Sequence, residues 1–288
     1  MAKLLEGKPI AERIREEIKS AVASLGIKPV LASIQIGDNP AAAAYVKSQA
    51  KAAESLGIAY QLHKLDQDIQ EKSLIDIILK LNSDASVNGI IVQMPLPAHI
   101  DYKKISQFIV PEKDVEGVHP FNIGKIVFGQ AGLVPCTPSA VMELLTTCAV
   151  DLYGKEVVIV GHSEIVGKPL SLLLLDKFAT VTVCHIGTSK AGRLQEHVKK
   201  AEVLVVAVGK AGLIKGEWIG QGAIVIDVGI NRVNHKIVGD VEFEEALKRA
   251  SWITPVPGGV GPLTVTMLMR NLVCAAQSQQ SSKSIDEG

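Results

Sequence analysis

The sequence predicts an α/β protein of two domains, each built on a mostly parallel sheet. Three observations carry that expectation. The chain has 288 residues, enough for two domains that each bury a core. Short apolar runs alternate with stretches of helical period, the arrangement of βαβ units. From about residue 111 to 138 the text changes to PEKDVEGVHPFNIGKIVFGQAGLVPCTP. That stretch is rich in Pro and Gly and poor in periodicity, as in a long functional loop or an interdomain passage.

Ile10, Ile14, Ile18 and Val22 recur every fourth residue and predict an opening amphipathic helix. VLASIQIG reads as a buried strand, and the Asp38-Asn39-Pro40 turn after Gly37 launches a helix over residues 45–58 that Gly57 closes. YQLHKL, the helical SLIDIILKLN and the apolar GIIVQM repeat the alternation. Ligands of such sheets bind beyond the carboxyl ends of the strands, so the loops after Gly37 and Gln93 are where chemistry is expected. The boundary falls at the end of the Pro/Gly-rich stretch. Residues 1–137 with 263–288 form the first domain and residues 138–262 the second. In the second, KEVVIVG, ATVTVCH, EVLVVAVG, AIVIDVG and WITPVP are five strand-like runs. LTVTMLMRNLVCAAQ reads as a helix returning to brace the first domain, and SQQSSKSIDEG as a frayed polar tail.

Basic and acidic residues number 30 each, so no net field draws the chain to nucleic acid or to an anionic membrane. Cys136, Cys148, Cys184 and Cys274 are scattered with no C-x-x-C pair, which points away from a metal site or a disulfide framework. The start lacks the long apolar core of a signal peptide, and no apolar run is long enough to span a bilayer. These features together predict a cytoplasmic protein with a small-molecule partner.

VVIVGHSEIVGKPLSLLLL is an apolar strand, a turn holding Gly161, Ser163 and Gly167, and a helix. Amides at such a helix start can cradle a pyrophosphate. The turn is not G-x-G-x-x-G, because Ser163 takes the second glycine's place, and a plain strand-to-helix turn reads equally well. The next strand ends at Cys184-His185 instead of the acid that would bond the ribose of a standard NAD. His162 and His185 read as surface or loop-bonding histidines, and no metal is expected.

Carrying GIIVQMPLP, PEKDVEG, PCTP, GHSEIVGKP, GAIVIDVGINR and TPVPGGVGPLT along nearly its whole length, the chain resembles the bifunctional methylenetetrahydrofolate dehydrogenase/cyclohydrolase family. The resemblance implies an N-terminal α/β folate-cleft domain, a Rossmann-like dinucleotide-binding domain, and a homodimer in one-carbon metabolism and purine biosynthesis. NADP is the implied cofactor, with NAD as an alternative. Hydride passes from the methylene bridge of a tetrahydrofolate derivative to the nicotinamide, and water then opens the methenyl product to 10-formyltetrahydrofolate. By position, the substrate is implied to meet Tyr45, Gln93, Pro95, Leu96 and Glu116, and also Pro257, Gly258, Gly259 and Pro262. The cofactor is implied to meet Gly161, His162, Ser163, Ile165, Val166 and Gly167 of the glycine turn, then His185 and Ile186. Ala207, Val208 and Gly209, and Gly229, Ile230 and Asn231, complete that implied set.

The hydrolysis needs a group that exchanges a proton near neutral pH. In the family that group is a lysine, held by a tyrosine one turn earlier and by the loop glutamine. Here those positions are Gln49, Tyr45 and Gln93, and with Glu116 they make up the catalytic set that the resemblance implies. Lys47 and Lys51 each lie about 200° around the helix from Gln49 and do not reach its face. An amide relays no proton, which predicts impaired ring opening while hydride transfer, needing mainly alignment, survives. Gln49 also reads as an exposed helix position with no role. The family's KDVDG is KDVEG here, so Glu116 is one methylene longer than the aspartate implied to bond the pterin's amino edge. His162 stands where an arginine is implied to meet the 2'-phosphate of NADP, and Ile186 replaces a serine. Two other readings stay open: a non-catalytic folate- or nucleotide-binding protein, and a dehydrogenase of another small cyclic amine.

Overall fold

The structure, a computed structural model, describes residues 2–286. Its strands are β1 (Lys3–Leu4), β2 (Val30–Ile36), β3 (Ala59–Leu65), β4 (Gly89–Val92), β5 (Glu156–Val160), β6 (Thr180–Cys184), β7 (Val203–Val206), β8 (Ile224–Asp227), β9 (Asn231–Val233), β10 (Lys236–Val238) and β11 (Trp252–Ile253). Its helices are α1 (Gly7–Ser24), α2 (Pro40–Ser55), α3 (Glu71–Ser83), α4 (Tyr102–Ile105), α5 (Pro120–Val127), α6 (Cys136–Thr147), α7 (Gly167–Leu175), α8 (Ile186–Lys190), α9 (Leu194–Lys200), α10 (Phe243–Leu247) and α11 (Val260–Asp286). The chain divides into two compact units. One holds the residues up to Glu12 with Thr137–Thr264, the other Arg13–Cys136 with the residues from Val265 onward.

The second of these units carries a three-stranded parallel sheet in the order β3-β2-β4. β2 lies in the middle and is buried from Leu31 to Ile36, its polar residues Ser33 and Gln35 included. Asn39 starts α2, its Oδ1 accepting from the amides of Ala41 at 2.9 Å and Ala42 at 3.4 Å, with Pro40 in the first turn. Leu74, Ile78 and Leu81 of α3 pack with Ile34, Ile36, Ile90 and Val92 into one core. Each such side chain contributes about 1.5–3 kcal/mol when fully buried. The returning helix α11 is buried here at Leu268, Leu272 and Ala276, and Asn271 Nδ2 donates to the carbonyls of Val115 at 2.9 Å and Val134 at 2.8 Å.

The other unit carries a six-stranded parallel sheet, β1-β11-β8-β7-β5-β6. All five expected runs are strands within it. In each sheet the first strand of a run, β2 or β5, has its successors on opposite sides. The chain reverses direction across the sheet there, opening a crevice at the carboxyl ends where ligands of open α/β sheets bind.

Four features depart from the sequence reading. Residues 2–12, expected in the first domain, belong to the larger-sheet unit. There the backbone of Lys3 and Leu5 donates to Ser251 and Ile253, both at 2.8 Å, and extends the open sheet edge. The Pro/Gly-rich passage contains α5, started by Pro120 and by His119 Nδ1, which accepts from Phe121 N at 3.0 Å. β9 and β10 form an antiparallel hairpin whose tip, Asn234-His235, takes positive φ of 47° and 63°. The polar tail expected to fray continues α11 through Asp286, and its last two residues lie outside those described. Among the described residues no helix is long and apolar enough to cross a membrane.

Candidate active site

Gln93 is the first residue after β4, and its amide continues the ladder to Ile34 O at 2.8 Å. That backbone bond points its side chain into the crevice beside β2, where it is 4% exposed. Gln93 Nε2 donates to Ser33 Oγ at 3.0 Å and to Gln49 Oε1 at 2.7 Å. Gln49 Nε2 returns a bond to Gln93 Oε1 at 3.4 Å. The two amides therefore face each other head to head. Tyr60 of β3 closes the group by donating from its hydroxyl to Gln49 Oε1 at 3.1 Å.

This arrangement removes the reading of Gln49 as an exposed position, because its side chain is buried at 4% exposure. Lys47 and Lys51 are exposed, as the helical wheel requires. Tyr45, one turn before Gln49, is 48% exposed, so its ring is open to a ligand while the amide below is sealed. Burial pushes the Tyr60 phenol up, with a bond to Ser33 opposing. Two amides, a hydroxyl and a phenol of raised pKa can orient water or a ring but carry no proton near neutrality. Tyr60 and Ser33 are partners of Gln49 and Gln93 that the sequence reading missed. Neither belongs to a motif, and only the pairing of β2 with both of its neighbours brings them to Gln49.

Glu116 is displayed by a tightly bonded turn. Lys113 is buried, and its Nζ donates to the carbonyls of Leu81, Asn82 and Asp84 at 2.9, 2.7 and 2.7 Å, closing the carboxyl end of α3. Asp114 accepts from the amides of Gly117 and His119 and from Asn122 Nδ2, so it organises the turn. An isolated parallel bridge from Asp114 to Ile90 runs this segment along β4. Glu116 is half-buried, and Tyr102 donates from its hydroxyl to Oε2 at 2.9 Å. Burial pushes its carboxyl up to about 7, with the Tyr102 bond opposing and the neighbouring Asp114 adding to the rise. Pro95, which follows a cis Met94–Pro95 bond, and Leu96 line a cavity of about 840 Å³ with the loop after β2.

In the larger-sheet unit the turn after β5 is drawn tight. A Cβ at Gly161 would sit 2.3 Å from Ala207 O, and one at Gly167 2.0 Å from Gly161 O. Only glycine allows this approach of loop to strand and of helix to turn. Ser163 Oγ accepts from Val166 N at 3.2 Å, and the first amides of α7 follow. Gly161, His162, Ser163, His185, Ile186, Ala207 and Val208 line a cavity of about 550 Å³ with Lys168 and Lys210. The His162 and His185 rings lie 5.1 Å apart, centroid to centroid. His185 starts α8, its Nδ1 accepting from Gly187 N at 3.1 Å, which fits the loop-bonding reading. Ile165, Ile186 and Ile230 are exposed at 51%, 67% and 57%, and of the three Ile186 lines the cavity.

Two buried acids set the neighbouring loops. Asp240 accepts from the successive amides of Val208, Gly209 and Lys210 at 2.8, 2.9 and 2.7 Å, and from Asn231 Nδ2 at 2.8 Å. Asp227 accepts from Gly229, Asp240 and Val241 amides, and burial pushes its carboxyl up to about 6 against those bonds. Amides at a helix start, a glycine-tightened turn and a cavity between β5 and β7 suit a dinucleotide. No acid ends β6 to select an unphosphorylated ribose.

The glycines at 258 and 259 also take part in the chain's own packing. Gly258 has φ +113 and its carbonyl accepts from Gly7 N at 2.9 Å, while a Cβ at Gly259 would lie 2.6 Å from Thr254 Cβ. The chain's own packing against Thr254 therefore requires glycine at 259. Pro257 follows a second cis bond and is exposed, and Pro262 is half-buried in the first turn of α11. Among the described residues no cluster of His, Cys, Asp or Glu could hold a metal.

Residues 5–116 match the model of the tetrahydrofolate dehydrogenase/cyclohydrolase catalytic domain, and residues 135–280 that of its NAD(P)-binding domain. The Bifunctional protein FolD of Bacillus pumilus is 50% identical over 280 residues, 96% of this chain and 98% of that one. The Campylobacter jejuni bifunctional enzyme FolD superposes with a TM-score of 0.93 at 46% identity, over 96% of this chain and 99% of that one. A Trypanosoma brucei methylenetetrahydrofolate dehydrogenase-cyclohydrolase, solved with NADP and an inhibitor, gives 0.92 at 38% identity over 96% and 98%.

Proposed function

The chain belongs to the tetrahydrofolate dehydrogenase/cyclohydrolase family, and from that premise we propose that it oxidises 5,10-methylenetetrahydrofolate with NADP while its cyclohydrolase step is impaired. The observation that carries the second half is the sealed amide pair of Gln49 and Gln93, at the position where the resemblance implies a lysine. NADP, when bound, supplies the hydride acceptor. The protein's own residues then have to align, exclude water and move protons.

Alignment is within reach of what is built. The turn from Gly161 to Gly167 presents amides to a pyrophosphate, and Tyr45 and Glu116 present a ring and a carboxyl to a pterin. Proton movement is not within reach. Attack of water on the methenyl carbon releases a proton, and the departing ring nitrogen takes one up. Gln49, Gln93 and Ser33 have no pKa near neutrality, and Tyr60 is pushed further from it. Glu116 does titrate near neutrality. As the carboxyl that holds the pterin's amino edge, it faces the side of the bicycle opposite the N5–N10 bridge and is badly placed to serve there.

The proposal includes a homodimer, taken from the resemblance and read by sedimentation. The test of activity supplies methylenetetrahydrofolate with NADP and, separately, NAD, and follows reduced cofactor and methenyl intermediate together. The expected result is reduced cofactor with accumulating methenyl product. Silence with both cofactors overturns the dehydrogenase. Conversion to the formyl product as fast as oxidation overturns the impaired step.

A further inference from the structure

The KDVEG turn leaves Glu116 little freedom to compensate for its extra methylene by moving backbone. Lys113, Asp114 and the bridge to Ile90 fix the turn on both sides of it. The side chain is instead held at its far end. Tyr102 opens α4, whose start is set by Asp101 Oδ1 accepting from Lys103 N at 2.9 Å. Its ring packs on the core that includes Ile100 and Ile105, and its hydroxyl, 2.9 Å away, donates to Oε2. Oε1 accepts no hydrogen bond from any described residue. A half-buried carboxyl with one oxygen clamped and the other bare is built to accept from something outside the chain.

We propose that Tyr102 is a specificity-determining positioning residue, which clamps Oε2 of Glu116 so that Oε1 alone meets the N–H edge of a 2-aminopyrimidine ring. The inference rests on the folate reading of this site and names the device that lets a glutamate act where the family pattern has an aspartate. The clamp draws the longer side chain aside and converts a rotating carboxyl into a single directed acceptor. Hydrogen bonds to a charged group are the stronger kind, so the clamp holds best when Glu116 is ionised. The groups facing Glu116 are Tyr102, Asp114 and the Cys136 thiol, with Arg270 of α11 beside that thiol.

The test is a double-mutant cycle on the full chain, with tetrahydrofolate binding read by calorimetry for Tyr102→Phe, Glu116→Asp and the pair. Tyr102→Phe is expected to weaken tetrahydrofolate about tenfold, the scale of one charge-assisted bond, and to leave NADP binding unchanged. In the Glu116→Asp background the same change is expected to do nothing, because the shorter carboxyl is out of reach of the hydroxyl. The midpoint of the pH dependence of folate binding should also rise in Tyr102→Phe, since the lost bond favours the ionised carboxyl. Glu116→Gln, which keeps an acceptor for Tyr102, should lose folate affinity while still unfolding in one cooperative transition.

Effects of Tyr102→Phe and Glu116→Asp that multiply overturn the inference alone. So does a Tyr102→Phe protein that loses folate and NADP equally, because that is a structural defect. A wild-type chain that binds no tetrahydrofolate overturns the folate reading and the inference together.

Discussion

Replacing Gln49 by lysine tests the division between oxidation and ring opening most directly. The lysine Nζ would enter a site where the present side chain is 4% exposed. It could donate to Gln93 Oε1 and to the Tyr60 hydroxyl, which can turn from donor to acceptor. Gln93 Nε2 would keep Ser33 and lose Gln49 Oε1, its 2.7 Å partner. One buried N–H without a partner costs about 1–3 kcal/mol, so Gln49→Lys is expected to be less stable by that amount. The same burial disfavours the ammonium and lowers the lysine pKa toward neutrality, the range a proton relay needs. General acid–base catalysis contributes about 10²–10⁴-fold. The lower figure is expected in a site not otherwise adapted, about 2.7 kcal/mol off the barrier. The assay is decay of methenyl absorbance with enzyme in excess, corrected for the spontaneous rate, with Gln49→Met as the control for length without an amine. A cooperatively folded Gln49→Lys protein that hydrolyses no faster than wild type would refute the reasoning.

Two further outcomes follow from charge. His162 is exposed at the mouth of the nucleotide cavity, so His162→Arg should tighten NADP about tenfold, roughly 1.4 kcal/mol, with NAD unchanged. Fluorescence titration of both reduced cofactors reads this, and equal shifts in the two would contradict a role at the 2'-phosphate. Glu116 titrates at about 7 in the folded chain against an ordinary 4.5, a raised carboxyl. Its contribution to stability is therefore complete below about 4.5 and lost as pH rises through 7, at most about 3 kcal/mol. Urea unfolding at pH near 5 and near 8 should show that loss in wild type and its absence in Glu116→Gln; parallel profiles would place the titration elsewhere.

Much of this was legible in the sequence because it is written in single strands. β4, β7 and β5 after Glu156 are buried on both faces, so their text is continuously apolar, and a polar residue such as Gln93 just past the end of one stands out. The helical spacing likewise separated Gln49 from Lys47 and Lys51. What escaped depends on partners distant in sequence. Tyr60 lies on β3, an edge strand with a mixed burial pattern, and reaches Gln49 only through the pairing with β2. Tyr102 lies 14 residues before the carboxyl it holds and belongs to no motif. β1 is two residues long and α5 eight, too short for periodicity to mark. The hairpin tip uses Asn-His where the usual signal is Asn-Gly.

The carboxylate of Asp240 has a bearing on where phosphates can settle. Three successive backbone N–H groups converging on one point form a concavity that attracts anions, and the loop Val208–Lys210 is such a concavity. Its tenant is supplied from within the chain, beside the mouth of the glycine turn, and is wholly shielded from solvent at 0% exposure. A diphosphate at this end of the sheet would find that concavity already filled by Asp240, and the amides at the start of α7 would remain to receive it.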